Sequence, residues 1–484
     1  MLLADLIKEV DILSVVGSTD IDIKSVEFDS RKVAVGSLFV ATVGTSVDAH
    51  QFIDSCIMNG AAAIVCQQLP AQTKEGVTYI QVADSASALG FIASAWNDPP
   101  SRKLTLVGVT GTNGKTTIAT LLYNLTRQLG YKAGLLSTVC NYIDGEPVAA
   151  THTTPDALEL NALLHRMVEA GCRYAFMEVS SHSVVQQRIA GLDFDGGIFT
   201  NLTRDHIDFH KTFDNYRDAK KHFFDCLHKG TFAVTNKDDR NGLVMTQNTK
   251  AQVYTYSTRS IADFHAKIIE ESFEGMFLNI NSKEVFVPLV GRFNVSNLLA
   301  IYGTAVCLGF SSDDVLRILS TLKPVNGRFE AIYSPQGWTA IVDYAHTPDA
   351  VENVINTINE IRKPTSRLIT VVGCGGNRDK GKRPMMAQIA KRGSTQLILT
   401  SDNPRDEEPE DILNDMLAGL TEQEQLSTLV ITDRSQAIRT ACLMAQKDDV
   451  ILVAGKGHED YQIIKGVKHH FDDHEQIRAT FAAC

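Results

Sequence analysis

The chain has 484 residues, 44% apolar and 21% charged, an ordinary globular balance that leaves room for about three domains. Its net charge of −11 excludes a broad nucleic-acid-binding face, which needs a basic stripe. No stretch reaches the ~20 apolar residues that span a bilayer, and nine scattered cysteines without a Cys-x-x-Cys pair predict reduced thiols, not a disulfide framework.

The opening residues, Met1-Leu2-Leu3-Ala4-Asp5-Leu6, lack the basic-then-apolar order of a secretory leader, so a cytoplasmic protein is expected. The apolar runs 37–43 and 61–66 predict buried strands, with a helix over 52–59 stopped by Gly60. Asn97-Asp98-Pro99-Pro100-Ser101 predicts a linker, because paired prolines interrupt helix and sheet alike. A strand over 104–109 then feeds a glycine loop, and a helix over 116–129 ends at Gly130. Strands follow at 174–179 and 197–200, and this alternation predicts a mainly parallel sheet covered by helices. From Gly327-Arg328 onward, strands at 340–343, 368–372, 396–400 and 450–453 predict a doubly wound domain. The expected fold class is α/β in three domains. A smaller N-terminal unit covers 1–98, a central P-loop-type unit covers 99–326, and a C-terminal Rossmann-like unit covers 327–484.

The loop Gly111-Thr112-Asn113-Gly114-Lys115-Thr116-Thr117 carries the plainest chemistry. Gly111 and Gly114 allow backbone to approach phosphates without a Cβ clash. Lys115 supplies a point charge to the outer phosphates, and the Thr116 hydroxyl suits Mg²⁺. The helix behind the loop aims its N-terminus at the anion, so ATP binding is expected. Val109 stands where the common pattern has glycine, which makes the match the shorter Gly-x-x-Gly-Lys-Thr. Glu178 closes an apolar strand, where ligands gather in open α/β sheets, and its carboxylate suits Mg²⁺ beside a nucleotide. The segment 201–210 crowds Asp205, His206, Asp208 and His210 together after another strand, which points to a metal or phosphate site. Lys220 lies in Tyr216-Arg217-Asp218-Ala219-Lys220-Lys221, on an expected helix. These features alone leave open a P-loop kinase, a motor ATPase and a nucleotide-sensing module without turnover.

Four segments taken in order narrow the field: 111–117, Glu178-Val179-Ser180-Ser181-His182, residues 201–208, and Asp343-Tyr344-Ala345-His346-Thr347-Pro348. Together they resemble the Mur ligase family over essentially the whole chain, and most of all its branch that adds the third amino acid to the peptidoglycan precursor. The resemblance implies an amide ligase that spends ATP on an acyl phosphate. Thr116 and Glu178 would hold one Mg²⁺, and His206 a second together with Lys220, carbamylated to N6-carboxylysine. Lys115, Glu178, His206 and Lys220 form the implied catalytic set. Asn294, Asn297, Arg328, Asp343 and His346 would join residues 111–117 around ATP. Phe28, Ser30, Thr45, Ser46 and Val47 would hold the UDP-sugar end of the substrate, and Thr153, Thr154, Ser180, Gln186 and Arg188 its muramoyl-peptide end.

The incoming amino acid would meet Arg378, Asp402, Asn403, Pro404, Arg405, Gly455 and Glu459. The form Asp402-Asn403-Pro404-Arg405 is the one associated in this family with meso-diaminopimelate, while lysine-adding relatives lack the arginine. An arginine forms a bidentate pair with a distal carboxylate, which diaminopimelate has and lysine lacks. The implied partners are therefore ATP, a UDP-muramoyl-dipeptide and diaminopimelate, acting on a monomer without nucleic acid or a membrane span. A lysine-adding or a folylpolyglutamate-type ligase is the alternative within the family. The unit before the ATP loop and Arg405 count against the second.

Overall fold

The computed structural model describes residues 1–44, 47–150 and 152–481. They form three α/β domains, each built on its own sheet. The first sheet has five strands in the order Ile12–Val16, Thr78–Val82, Ala63–Cys66, Ser37–Val40, Ser25–Glu27. Its outer pair Ile12–Val16/Thr78–Val82 is antiparallel and the others are parallel. Every residue of Ser37–Val40 and Ala63–Cys66 is buried, the burial that a continuous apolar run predicts for a sheet covered on both faces. Where a helix over 52–59 is expected, a 3-10 turn at Ala49–Phe52 runs into the helix Ile53–Met58. Asp48 accepts from the His50 N–H at 3.0 Å and so starts the turn early.

The stretch 97–101 is a pinned joint, not an open linker. Prolines stop the helix Ser85–Trp96, and Pro100 then opens a 3-10 helix, Pro100–Lys103. The Ser101 hydroxyl accepts from the Asp193 N–H at 3.1 Å, and Arg102 bridges Glu9 at 2.7 Å and Asp193 at 2.6 Å.

The central sheet has eleven strands. Six parallel strands form its middle, in the order Gln252–Ser257, Phe232–Asn236, Gly196–Phe199, Thr105–Thr110, Tyr174–Glu178, Ala133–Leu136. The hairpin Asn141–Ile143/Glu146–Val148 extends one edge. An antiparallel meander, Phe264–Ser272, Gly275–Ile280 and Lys283–Val287, extends the other. Thr105–Thr110 lies between Gly196–Phe199 and Tyr174–Glu178. The loops at the carboxyl ends of all three therefore converge, the arrangement that gathers ligands in open α/β sheets.

The third sheet runs Glu330–Tyr333, Thr339–Asp343, Val450–Ala454, Leu368–Val372, Gln396–Leu399, Thr428–Val430. Only its first pair is antiparallel. Apolar residues of helices Pro348–Ile361 and Lys382–Gly393 cover one face, and those of Arg434–Met444 and Asp473–Phe481 cover the other. That is the doubly wound arrangement. A two-stranded hairpin, Tyr461–Ile464 with Val467–His470, stands outside this sheet. No described helix is long and apolar enough to cross a membrane.

Candidate active site

The loops at the carboxyl ends of the central strands face those of the C-terminal sheet across a cleft of about 420 Å³. The glycine loop forms its floor, between the strand Thr105–Thr110 and the helix Lys115–Gln128. Two glycines are dictated by close approach. A Cβ on Gly111 would lie 1.8 Å from Thr200 Oγ1, and one on Gly114, at φ +89°, would lie 2.5 Å from Asn297 Oδ1. Lys115 Nζ donates to the Gly111 and Thr112 carbonyls at 3.0 and 2.9 Å. Burial lowers its pKa, and Glu178 and Asp205 oppose that shift.

Thr116 Oγ1 donates to Glu178 Oε1 at 2.8 Å, and the same oxygen accepts from the Thr138 N–H at 2.8 Å. Arg328, carried in from the C-terminal domain, reaches Thr116 Oγ1 at 3.3 Å. A hydroxyl and a carboxylate this close, on a cleft wall, are the hard oxygen donors that Mg²⁺ takes beside phosphates. Among the described residues no three His, Cys, Asp or Glu side chains cluster as a metal site. A Mg²⁺ held there would take its remaining oxygen donors from phosphate and water.

His206 stands at φ +53° against Asp205, with Nε2 3.3 Å from its carboxylate, and edge-on to His182 at 4.8 Å. Burial lowers the His206 pKa, which keeps the ring neutral and able to act as a ligand. Lys220 is fully buried, its Nζ donating to the Gly111 carbonyl at 2.7 Å and lying 4.7 Å from the Tyr216 ring. Burial, then the charge on Lys115, pushes this amine well below its ordinary pKa.

Of the remaining residues expected at ATP, Arg328 and His346 line the cleft. Asn294, Asn297 and Asp343 stand behind it. Asn294 donates to the Val290 carbonyl at 2.7 Å and accepts from Asn297 at 3.0 Å, behind Gly114. Asp343 accepts from the Phe329 and Ala345 N–H groups, each at 2.7 Å, and so braces the turn that carries Arg328. Thr117 is buried in the first turn of the helix Lys115–Gln128.

Thr153, Thr154, Ser180 and Arg188 line the same cleft, and Arg188 donates to the Thr154 carbonyl at 2.7 Å; Gln186 lies off it, in the helix cap. Phe28, Ser30 and Val47 line a second cleft of about 810 Å³, between the N-terminal domain and the start of the helix Ala157–Glu169. Thr45 and Ser46 lie outside the described residues.

Arg378, Asp402, Asn403, Arg405, Gly455 and Glu459 close the far end of the first cleft, with Pro404 just behind. Asn403 Nδ2 donates to Glu459 Oε2 at 2.7 Å. Arg405 Nη1 donates to the Gly376 carbonyl at 2.8 Å, and burial followed by Arg378 lowers its pKa. Among the described ion pairs neither Arg405 nor Arg378 has a carboxylate partner. Two neighbouring guanidiniums in that state have the chemistry to receive an anion.

Several cleft residues lie outside the sequence expectations. Thr138 holds Glu178, and Lys382 donates to the His346 carbonyl at 2.9 Å. Behind the cleft wall, Lys456 is fully buried, 3.5 Å from Asp402 and 3.3 Å from Glu459. Its signal is present in the chain, a lysine between Gly455 and Gly457 directly after a strand. Nothing local marks Thr138 or Lys382.

Family models match nearly the whole chain in three consecutive pieces: Mur ligase family, catalytic domain, over residues 22–97; Mur ligase middle domain over 109–305; and Mur ligase, glutamate ligase domain, over 327–457. A relative from Parabacteroides distasonis, named UDP-N-acetylmuramoyl-L-alanyl-D-glutamate--2,6-diaminopimelate ligase, is 63% identical over 100% of this chain and 99% of its own. One of the same name from Bacteroides fragilis is 60% identical over the same shares. A solved structure of a ligase of that name superimposes with a TM-score of 0.71 at 32% identity, covering 100% of this chain and 99% of the other. Folylpolyglutamate synthase from Thermotoga maritima shares the fold at a TM-score of 0.59 and 15% identity, but covers only 77% of this chain. With relatives this similar along its full length, and the ATP loop, Glu178, His206 and Lys220 gathered in one cleft, the chain belongs to the Mur ligase family.

Proposed function

We propose that this chain is an ATP-dependent ligase that joins meso-diaminopimelate to the D-glutamate of UDP-N-acetylmuramoyl-L-alanyl-D-glutamate, in peptidoglycan precursor synthesis. One observation carries the reading. The phosphate loop and the pair Arg378 and Arg405, which have no carboxylate partner among the described ion pairs, open into a single cleft. A kinase or motor ATPase needs no such anion receptor at a distance from its nucleotide.

The substrate carboxylate attacks the γ-phosphorus of ATP, giving an acyl phosphate and ADP. The amine of diaminopimelate then attacks the acyl carbon, and the tetrahedral intermediate expels phosphate as the nitrogen loses its proton. A carboxylate is a poor electrophile, so the reaction depends on phosphate as leaving group and on orientation. Lys115 and Arg328 neutralise charge on the transferring phosphoryl group. Thr116 and Glu178 would hold one Mg²⁺, and His206 with Lys220 a second. Bound there, Mg²⁺ would supply positive charge that offsets the charge of the phosphates. A cationic lysine is no ligand, but the lowered pKa of Lys220 supplies the neutral amine that adds CO₂, and the carbamate has oxygen donors. Arg405 and Arg378 hold the distal carboxylate of diaminopimelate, and Glu459 its distal ammonium. Thr153, Thr154, Ser180 and Arg188 hold the muramoyl-peptide, and the cleft at Phe28 and Ser30 takes the uridine end. We place the domain boundaries at 1–98, 99–326 and 327–484, and the protein in the cytoplasm as a monomer.

The test is phosphate release. It should require both the muramoyl-dipeptide and an amino acid, with diaminopimelate strongly preferred over lysine. Release without an amino acid would instead favour a simple ATPase.

A further inference from the structure

Arg405 stands in the left-handed region, at φ +54°, a conformation that costs a non-glycine residue energy and persists only when its surroundings enforce it. Those surroundings are the hairpin Tyr461–Ile464/Val467–His470. Arg405 forms a parallel bridge with Ile464: its N–H donates to the Ile463 carbonyl at 3.0 Å, and its carbonyl accepts from the Lys465 N–H at 2.6 Å. One residue pair earlier, the Ile463 N–H donates to Asn403 Oδ1 at 2.9 Å. The Gln462 amide donates to the Asp402 carbonyl at 2.6 Å. The inner strand thus holds residues 402–405 through the Asp402 carbonyl, the Asn403 side chain and the Arg405 backbone.

Beyond these contacts the hairpin is tied to the rest of the domain by exposed ion pairs, Lys465 with Glu408 at 3.0 Å and His470 with Glu475 at 2.7 Å. All four residues of its outer strand, Val467–His470, are exposed. Its two-residue turn, Lys465-Gly466, has φ of +48° and +78°, the turn geometry that suits the twist of a hairpin. A Cβ on Gly466 would meet nothing within 4 Å, so a side chain there strains the turn and touches nothing else.

We propose that this hairpin sets the specificity for a second carboxylate on the incoming amino acid by holding Arg405 in its left-handed conformation, with Gln462 as the positioning residue. The proposal rests on the reading of Arg405 as receptor for the distal carboxylate of diaminopimelate. Gln462 touches no substrate in this scheme and acts through the Asp402–Arg405 backbone. Release of that grip lets Arg405 relax and moves its guanidinium away from Arg378.

The experiment compares Gln462→Ala and Gly466→Val with the unaltered enzyme and with Arg405→Ala, using phosphate release and varying each substrate in turn. In both hairpin variants the KM for diaminopimelate should rise roughly 3- to 10-fold, the range for one lost hydrogen bond. kcat should stay within about twofold, with KM for ATP and the muramoyl-dipeptide unchanged. The preference for diaminopimelate over lysine should fall by the same factor, a readout that general loosening of the domain would not move. If Arg405→Ala loses diaminopimelate but both hairpin variants keep its KM and preference, the clamp is wrong and the function stands. If the unaltered enzyme releases no phosphate with diaminopimelate, the function and the clamp fall together.

Discussion

Replacing Arg405 by alanine removes the guanidinium and leaves the cleft backbone in place, because the bridge to Ile464 is made by main-chain atoms. In the unaltered protein one N–H of Arg405 is spent on Gly376, and the side chain lines the cleft near Arg378. A bidentate carboxylate would gain two charge-assisted hydrogen bonds, each contributing about 1.5–3 kcal/mol when buried. Arg405 is only half-buried, so water screens part of that, and Arg378 still offers one partner. About 2–3 kcal/mol remains, which raises the KM for diaminopimelate by roughly 30- to 150-fold at 1.4 kcal/mol per tenfold. Arg405→Lys should recover only part, since an ammonium lacks the planar fork. Steady-state phosphate release at saturating ATP and muramoyl-dipeptide measures this directly. An unchanged KM for diaminopimelate, or an equal loss with lysine as acceptor, would refute the assignment, because lysine has no distal carboxylate to lose.

Two further perturbations test other parts of the structure. Lys220→Ala should cut turnover by at least 100-fold, on the order of the loss expected for a group that holds a catalytic metal, and added formate or acetate should restore part of it. Full activity of the alanine variant would remove Lys220 from the site. Glu407 tests stability: Arg383, fully buried, donates to it at 2.9 and 3.0 Å, and this pairing holds its carboxyl down at about 2. A depressed folded-state pKa means that the stabilisation is complete above the ordinary value of 4.5 and is lost as pH falls toward 2. Glu407→Gln should therefore cost about 1–3 kcal/mol at pH 7, and flatten the decline in melting temperature between those limits. An unaltered slope below pH 4.5 would show that other carboxylates carry the acid sensitivity.

The local parts of this protein are legible in its sequence because they are set by short-range physics. The buried strand Thr105–Thr110, the glycine loop and the helix Lys115–Gln128 follow from an apolar run, two positions intolerant of a Cβ, and helical periodicity. The hairpin at 141–148 and the meander at 264–287 are less legible: their strands are short or half-exposed, and packing against the parallel core, not composition, makes them strands. Within the site, residue types at Lys115, Glu178, Lys220 and Arg405 declare their chemistry, but not their partners. Only the tertiary structure decides that Thr138 shares the Glu178 carboxylate, that Asn113 of the phosphate loop donates to Asp349 across the domain boundary at 3.0 Å, and that Lys456 lies between two acids. The left-handed backbone of Arg405 belongs to the same class, since the residues that enforce it arrive from about sixty positions downstream. Strand order and domain closure bring these groups together, and both depend on contacts between distant segments that no local pattern encodes.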